Sequence, residues 1–303
     1  EALKDINKRM EALSKRMERK PGLPEYAQEN WDYGIRGYYV GVKEVYIEGD
    51  YKFATLNNDT TAIIEYNGTE KNIDLNSLNK TITQIGGSAF KGSSIESIVL
   101  PNTLKTIEKN AFSNTSLKNI TIPSNVEYLG DNAFQSSKIE SVTFESNKNL
   151  TKIGMYAFSN TYNLKQIVIP KSVTNLGSYA FLDSGLEKVT FESGIKLETI
   201  NEGTFQKTKL TSVVIPELVT LIDHNAFRDI ETLQQVEFND QELIIMSNVF
   251  YNTGLTSVNI PANLKYIGEY AFVGLKNLTG FNVDVNNKYY KSVNGVLYSK
   301  DLR

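Results

Sequence analysis

The sequence predicts an α/β repeat solenoid: one short parallel strand per unit of about 23 residues, with short helical or 3₁₀ turns on the return side, after an N-terminal helix and cap. Three observations carry this expectation. Nine phenylalanines (Phe90, Phe112, Phe134, Phe158, Phe181, Phe205, Phe227, Phe250 and Phe272) recur at spacings of 22 to 24 residues. Five residues before each ring stands Ile or Leu, as in Ile85, Ile107, Leu129, Ile153 and Leu176. Five or six residues after it comes Leu or Ile and then a period-2 pair, such as Ile120 with Ile122 or Val189 with Phe191. Self-similarity at such a period marks a stacked array, and alternation by two marks a strand with one buried face.

The remaining columns refine the unit. Segments such as "GDNAFQ" are too short for an isolated helix, so they read as a helical or 3₁₀ turn returning the chain. The third residue after the ring is a hydroxyl in Ser93, Thr115, Ser137, Thr161, Ser184, Thr208 and Thr253. Buried there, each needs a partner, which backbone groups of adjacent turns could supply. Gly86, Gly130, Gly154, Gly177 and Gly268 follow the Ile/Leu column, with Asn201 and Asp223 elsewhere, which suggests a bend with positive φ. Glu108 and Met246 break that rule. One unit has too little structure to bury its own apolar side chains. Each buried Ile, Leu or Phe contributes roughly 1.5–3 kcal/mol against roughly 1–2 kcal/mol of backbone ordering per residue. Only several stacked turns meet that balance.

The chain divides into residues 1–20, 21–81 and 82–303. In the first, Leu3, Ile6, Met10, Leu13 and Met17 alternate at spacings of three and four before Pro21 and Pro24 stop the helix. This seam is either the end of an oligomerising coiled coil or an amphipathic helix that caps the solenoid. Residues 21–81 read as a cap with a degenerate first turn, with strands around "AIIEY" and "NIDL" joined at Asn67-Gly68. Trp31, Tyr33, Tyr38 and Tyr39 in the same region are either a carbohydrate platform or cap packing.

Strings such as "LKNITIPSNVEYLGDNAF", "LKQIVIPKSVTNLGSYAF" and "LTSVNIPANLKYIGEYAF" resemble the BspA-like leucine-rich-repeat family. The resemblance covers about residues 82 to 303, including the closing "NVDVNNKYYKSVNGVLYSKD". It implies a leucine-rich-repeat horseshoe and a bacterial surface or secreted protein with an adhesin-like role. The family often has cysteine at the hydroxyl column, where this chain has Ser or Thr.

Composition limits the chemistry. A formal net charge of −3 gives no basic stripe for nucleic acid. The absence of cysteine excludes disulfides and thiolate metal sites, and no apolar run is long enough to span a membrane. The start at Glu1, without methionine or a signal-peptide pattern, suggests a fragment whose targeting segment lies elsewhere. The only histidine, His224, occupies a variable slot that elsewhere holds Lys109, Asp131 and Met155. With one His and no Cys, zinc ligand sets and Ser-His-Asp or Cys-His nucleophiles have almost no raw material, and no phosphate-binding loop appears. After the strand, proline alternates with an acid or Asn from the third unit on: Glu145, Pro170, Glu192, Pro216, Asn239, Pro261, Asp284. Glu145 and Glu192 would lie roughly 10 Å apart, marginal for an inverting glycosidase pair. A turn residue with two local solutions is the simpler reading. The loops "ESNKN" and "DVNN" could hold calcium, although EF-hand spacing is absent.

No catalytic constellation, cofactor or metal site is expected. The outward strand residues should carry any ligand: Asn119, Thr121, Ser141, Thr143, Gln166, Lys188, Thr190, Gln235 and Glu237. They suit a long macromolecular partner, an extracellular or host protein, with possible oligomerisation through the N-terminal helix. The alternatives are a glycan- or cell-wall-binding module using the aromatic cap, and an enzyme whose catalytic domain lies outside this chain.

Overall fold

The computed structural model describes Lys8 and residues 41–301 apart from residue 147. Apart from Lys8, the expected helix over 1–20 and the cluster Trp31, Tyr33, Tyr38 and Tyr39 lie outside the described residues.

Each unit contributes two parallel strands, where the sequence predicted one. The expected period-2 segment forms the face strands Ser97–Val99, Asn119–Ile122, Ser141–Phe144, Gln166–Ile169, Lys188–Phe191, Ser212–Val214, Gln235–Glu237, Val258–Ile260 and Phe281–Val283. The Ile/Leu column before the ring forms a second ladder of flank strands, among them Thr106–Ile107, Tyr128–Leu129, Lys152–Ile153 and Asn175–Leu176. Two residues are too few to show a period, which is why the sequence hides this ladder. It is real in its hydrogen bonds: Gly130, Gly154 and Gly177 donate their N–H to Ile107, Leu129 and Ile153 carbonyls at 2.7, 2.9 and 2.8 Å. The flank ladder breaks once, between Asn175–Leu176 and Thr199–Ile200. There the buried Asn201 side-chain amide donates to the Leu176 carbonyl at 2.6 Å, doing what the backbone does in other units.

The return side holds no helix, which corrects the expected helical or 3₁₀ turns. Ser88, Phe90 and Gly92 donate their N–H to Lys109, Ala111 and Ser113 carbonyls of the next unit at 2.8, 2.9 and 2.9 Å. Only the alternate residues Ala89, Lys91 and Ser93 close local bonds, to the carbonyls three residues back. A helix would need all of these donors for itself. The backbone also turns left-handed two residues before the ring (Ser88, Asn110, Asn132) and two after it (Gly92, Asn114, Ser136), which no right-handed helix tolerates. Among the described residues the one 3₁₀ helix is Leu75–Leu78. Its N-cap Asp74 accepts from the Asn76 N–H at 3.0 Å.

These left-handed positions correct the expected role of the glycine column. Gly130, Gly154 and Gly177 are not among the positive-φ residues. A Cβ at Gly130 or Gly177 would lie 2.4 or 2.5 Å from the backbone of the preceding turn, so these glycines permit close stacking of turns.

The phenylalanines form the expected ladder. Neighbouring rings from Phe90 to Phe272 stack at centroid distances of 5.2 to 5.5 Å, with planes within 11° of parallel. The first eight rings are fully buried, and Phe272 is half-buried at the C-terminal end. The threonine hydroxyls satisfy themselves within their own unit rather than across turns: Thr115, Thr161, Thr208 and Thr253 donate to the carbonyls of Phe112, Phe158, Phe205 and Phe250 at 2.8, 2.6, 2.8 and 3.0 Å.

Both ends of the stack are closed by antiparallel strands. Val42–Glu48, Tyr51–Leu56 and Thr61–Tyr66 form a meander whose last strand pairs in parallel with Ile82–Ile85. The expected strands around "AIIEY" and "NIDL" are present as Thr61–Tyr66 and Asn72–Asp74, and they enter different ladders, completing a first turn. At the other end Tyr290–Val293 and Val296–Ser299 form a hairpin over Asn294 and Gly295, both left-handed.

Tyr51 stacks on Phe53 at 5.3 Å and tilts against Tyr66 at 4.9 Å. Burial, then Tyr66, Glu70 and Asp50, pushes its phenol up to about 12 from the usual 10.0. The folded state therefore favours neutral Tyr51. That contribution is full below pH 10 and is lost as pH rises toward 12. The denaturation midpoint of the wild type should fall across this window, and that of Tyr51→Phe should fall less. Parallel midpoints across a pH series of urea melts would refute this.

Candidate interaction face

The face strands place side chains alternately in and out. In Asn119–Ile122 and Gln166–Ile169 the pattern runs exposed, buried, exposed, buried. All nine candidate residues, Asn119, Thr121, Ser141, Thr143, Gln166, Lys188, Thr190, Gln235 and Glu237, are exposed. Strand register brings some of them together. Asn119 lies beside Ser141, whose hydroxyl donates to the Asn119 Oδ1 at 2.6 Å. Thr121 lies beside Thr143 and Gln166 beside Lys188. Gln235 and Glu237 pair with Ser212 and Val214 of the preceding unit. The same surface carries exposed Val99, Val168 and Val214, so it is less polar than the nine residues alone suggest.

The residue after each face strand is proline, an acid or Asn, and proline there does not by itself part the sheet, since Pro101 and Pro123 occupy it in units whose face strands stay paired. Glu145, Glu192 and Asp284 donate their N–H to the carbonyls of Ile122, Ile169 and Ile260 at 3.0, 3.0 and 2.9 Å, extending the ladder back to the previous strand. Pro170, Pro216 and Pro261 stand at the same position and have no N–H to donate. The face sheet splits just before each of these prolines: after Ser141–Phe144, after Lys188–Phe191 and after Gln235–Glu237. The two sides of a split differ in cover: the inward residue before it is less buried than the one after it. Phe144, Phe191 and Phe238 are half-buried, whereas Ile122, Ile169, Ile215 and Ile260 are buried. Phe191 and Phe238 are held edge-on against the ladder rings Phe205 and Phe250 at 6.3 and 5.9 Å.

Two splits open into grooves. One, of about 370 Å³, is lined by Lys188–Ile195 and Ser212–Glu217. The other, of about 560 Å³, is lined by Gln235–Phe238, Asn259–Pro261 and Asn282–Asp284. Residue-by-residue reading missed them. No single column signals them, because whether two face strands pair depends on residues one turn away.

His224 Nδ1 sits 2.7 Å from Asp223 Oδ1, its immediate neighbour, and the imidazole is partly exposed. Glu192 accepts the Lys171 N–H at 2.8 Å, a loop-closing bond. In the "DVNN" loop Asp284 accepts the Asn286 N–H at 2.8 Å. Among the described residues no three or more His, Asp or Glu gather in a metal-binding group, and no helix is long and apolar enough to cross a membrane.

The profile of the BspA type leucine rich repeat region matches residues 83–198 and 198–294, in six copies. The chain belongs to the BspA-type leucine-rich-repeat family. This BspA-type repeat protein is similar to solved structures of bacterial leucine-rich-repeat proteins. A leucine-rich repeat protein from Bacteroides ovatus matches with a TM-score of 0.52 at 21% identity, covering 80% of this chain and 69% of the relative. The pneumococcal vaccine antigen PcpA matches with a TM-score of 0.49 at 21% identity, covering 81% and 82% of the two chains. No curated protein sequence matches this BspA-type chain.

Proposed function

We propose that this chain is a non-enzymatic protein–protein interaction module of a bacterial surface or secreted protein, adhesin-like, whose face strands engage an extended macromolecular partner. The observation that carries this reading is the row of outward side chains from Ser97 to Asn282, exposed among the described residues. Nine face strands at about 4.8 Å per step extend roughly 40 Å, longer than a small molecule needs. Membership of the BspA-type family and the absence of cysteine support the surface location.

The outward residues are small, so the binding energy is spread rather than concentrated. Labelled protein should bind the surface of host or neighbouring bacterial cells. Gln166→Trp, Lys188→Glu and Gln235→Trp should each weaken binding by roughly two- to fivefold, and the triple variant by roughly a hundredfold. Circular dichroism checks that the variants fold. A folded triple variant that binds cells like the wild type would show that the face is not the working surface.

A further inference from the structure

The return side carries a hydrogen-bonded ladder of its own, and the ninth turn leaves it open. In each of the eight preceding turns three residues donate their N–H to carbonyls of the next turn, at 2.7 to 3.2 Å. They are the ring residue and the residues two before and two after it. In the eighth turn Asn248, Phe250 and Asn252 donate to Glu269, Ala271 and Val273. The corresponding donors of the ninth turn are Tyr270, Phe272 and Gly274, and among the described residues they meet no acceptor. The C-terminal hairpin bonds elsewhere. Its Gly295 carbonyl accepts the Phe281 N–H of the face strand at 2.9 Å, and its Tyr290 hydroxyl accepts the Ile267 N–H of the flank at 2.8 Å.

This edge is preformed and accessible. Tyr270 and Gly274 are left-handed, with φ of 58° and 77°, as Asn248 and Asn252 are one turn earlier. Tyr270, Val273 and Gly274 are exposed. Phe272 stacks on Phe250 at 5.4 Å and is met edge-on by Phe281 at 5.3 Å, yet it remains only half-buried. An edge already in its bonding conformation lowers the ordering cost of binding. The eight closed turns show what fits it: three carbonyls from alternate residues, with phenylalanine directly after the second. The end of a helix offers successive carbonyls instead, so alternate donors select a non-helical segment. A second copy of the chain does not fit. Its ninth turn would set donors against donors. At its first turn the Ala89 carbonyl already accepts the Tyr66 N–H at 2.9 Å, and the Tyr66 ring packs on Phe90 at 5.2 Å.

We propose that the open edge of the ninth turn binds an extended segment of another protein by backbone addition. The segment supplies three alternate carbonyls to Tyr270, Phe272 and Gly274, and an aromatic side chain, following a small residue, that packs against Phe272. Main-chain bonds give the affinity in such strand addition, and the side chain between them gives the selectivity. The site lies at the end of the return side, so the inference does not rest on the face being the interaction surface.

The probe is the synthetic peptide "LGDNAFQSS", the sequence of residues 129–137. Within the fold its Asp131, Ala133 and Gln135 carbonyls accept from Asn110, Phe112 and Asn114 at 3.0, 2.8 and 2.9 Å. In the free chain, amide exchange followed by NMR should be fast at Tyr270, Phe272 and Gly274 and slow at Asn248, Phe250 and Asn252. The peptide should bind with a Kd of roughly 10–100 μM and slow the three edge amides at least about tenfold. The Phe134→Ser peptide and the face-strand peptide "LKNITIPS" should each bind at least about tenfold more weakly. Tyr270→Asn, which keeps the N–H, should bind the probe within about twofold of the wild type. So should the triple variant of the face, Gln166→Trp, Lys188→Glu and Gln235→Trp. Edge amides already slow in the free chain overturn the proposal. No binding below about 1 mM, or binding that leaves edge exchange unchanged, overturns it too. Equal binding of either control peptide does the same, as does loss of binding in Tyr270→Asn or in the triple variant. Edge amides that slow as protein concentration rises, without peptide, would assign the edge to a second copy and overturn the partner.

Discussion

Phe158→Ala is expected to lower the unfolding free energy by about 3–5 kcal/mol, the range for deleting a large aromatic side chain from a packed core. The ring is fully buried and lies between Phe134 and Phe181 at 5.2 and 5.4 Å, within 6° of parallel to both. Truncation leaves a void that neighbouring rings cannot fill, because each is held in its own turn by inter-turn hydrogen bonds such as Phe158 N–H to the Ala180 carbonyl at 2.7 Å. The position also matters. A solenoid is stabilised through nearest-neighbour interfaces, so a defect in a central unit weakens the contact on both sides. Urea melts should show a lower midpoint, and Phe272→Ala, at the half-buried end of the ladder, should cost clearly less. A loss below about 1 kcal/mol for Phe158→Ala would contradict the burial of the ladder.

Gly177→Ala should be the next most damaging single change, at about 1–3 kcal/mol, although it adds only one methyl group. That methyl would meet the Gly154 carbonyl carbon and the Met155 nitrogen, both at 2.5 Å. These are backbone atoms of the preceding turn and cannot rotate away. Relief requires the turns to separate, which would stretch the Gly177 N–H bond to Ile153 and the flank ladder beyond it. Gly194→Ala is the informative contrast, since its Cβ would meet nothing within 4 Å but its φ is +81°. Its cost comes from backbone strain alone, about 1–2 kcal/mol. Thermal melts of both variants, with hydrogen exchange at the Gly177 amide, separate the two causes. Accelerated exchange is expected for Gly177→Ala only, and unchanged exchange there would refute the close-packing role.

Much of the molecule was legible in the residues. The ring period predicts a buried ladder, and the alternation in "LKNITI" predicts which side chains of Asn119–Ile122 face out. Both are local patterns repeated many times, so each turn constrains the next and chance is averaged away. What sequence alone could not determine depends on partners about one unit away in the chain. Most flank strands are two-residue segments recognisable only through bonds to the previous turn. The return side looks helical because "GDNAFQ" is short and helix-compatible, yet half of its donors serve the next turn. Asn201 reads as a bend residue but spans the break in the flank ladder with its side chain. Pro170, Pro216 and Pro261 read as turn residues, and only stacking shows that the face sheet parts before the strand each one follows, although it stays paired at Pro101 and Pro123. The sequence by itself therefore determined the repeat and its buried columns, because side-chain burial follows local period. Tertiary structure decided where the sheets break and where the grooves open, because backbone hydrogen bonds between turns belong to pairs of units and to neither unit alone.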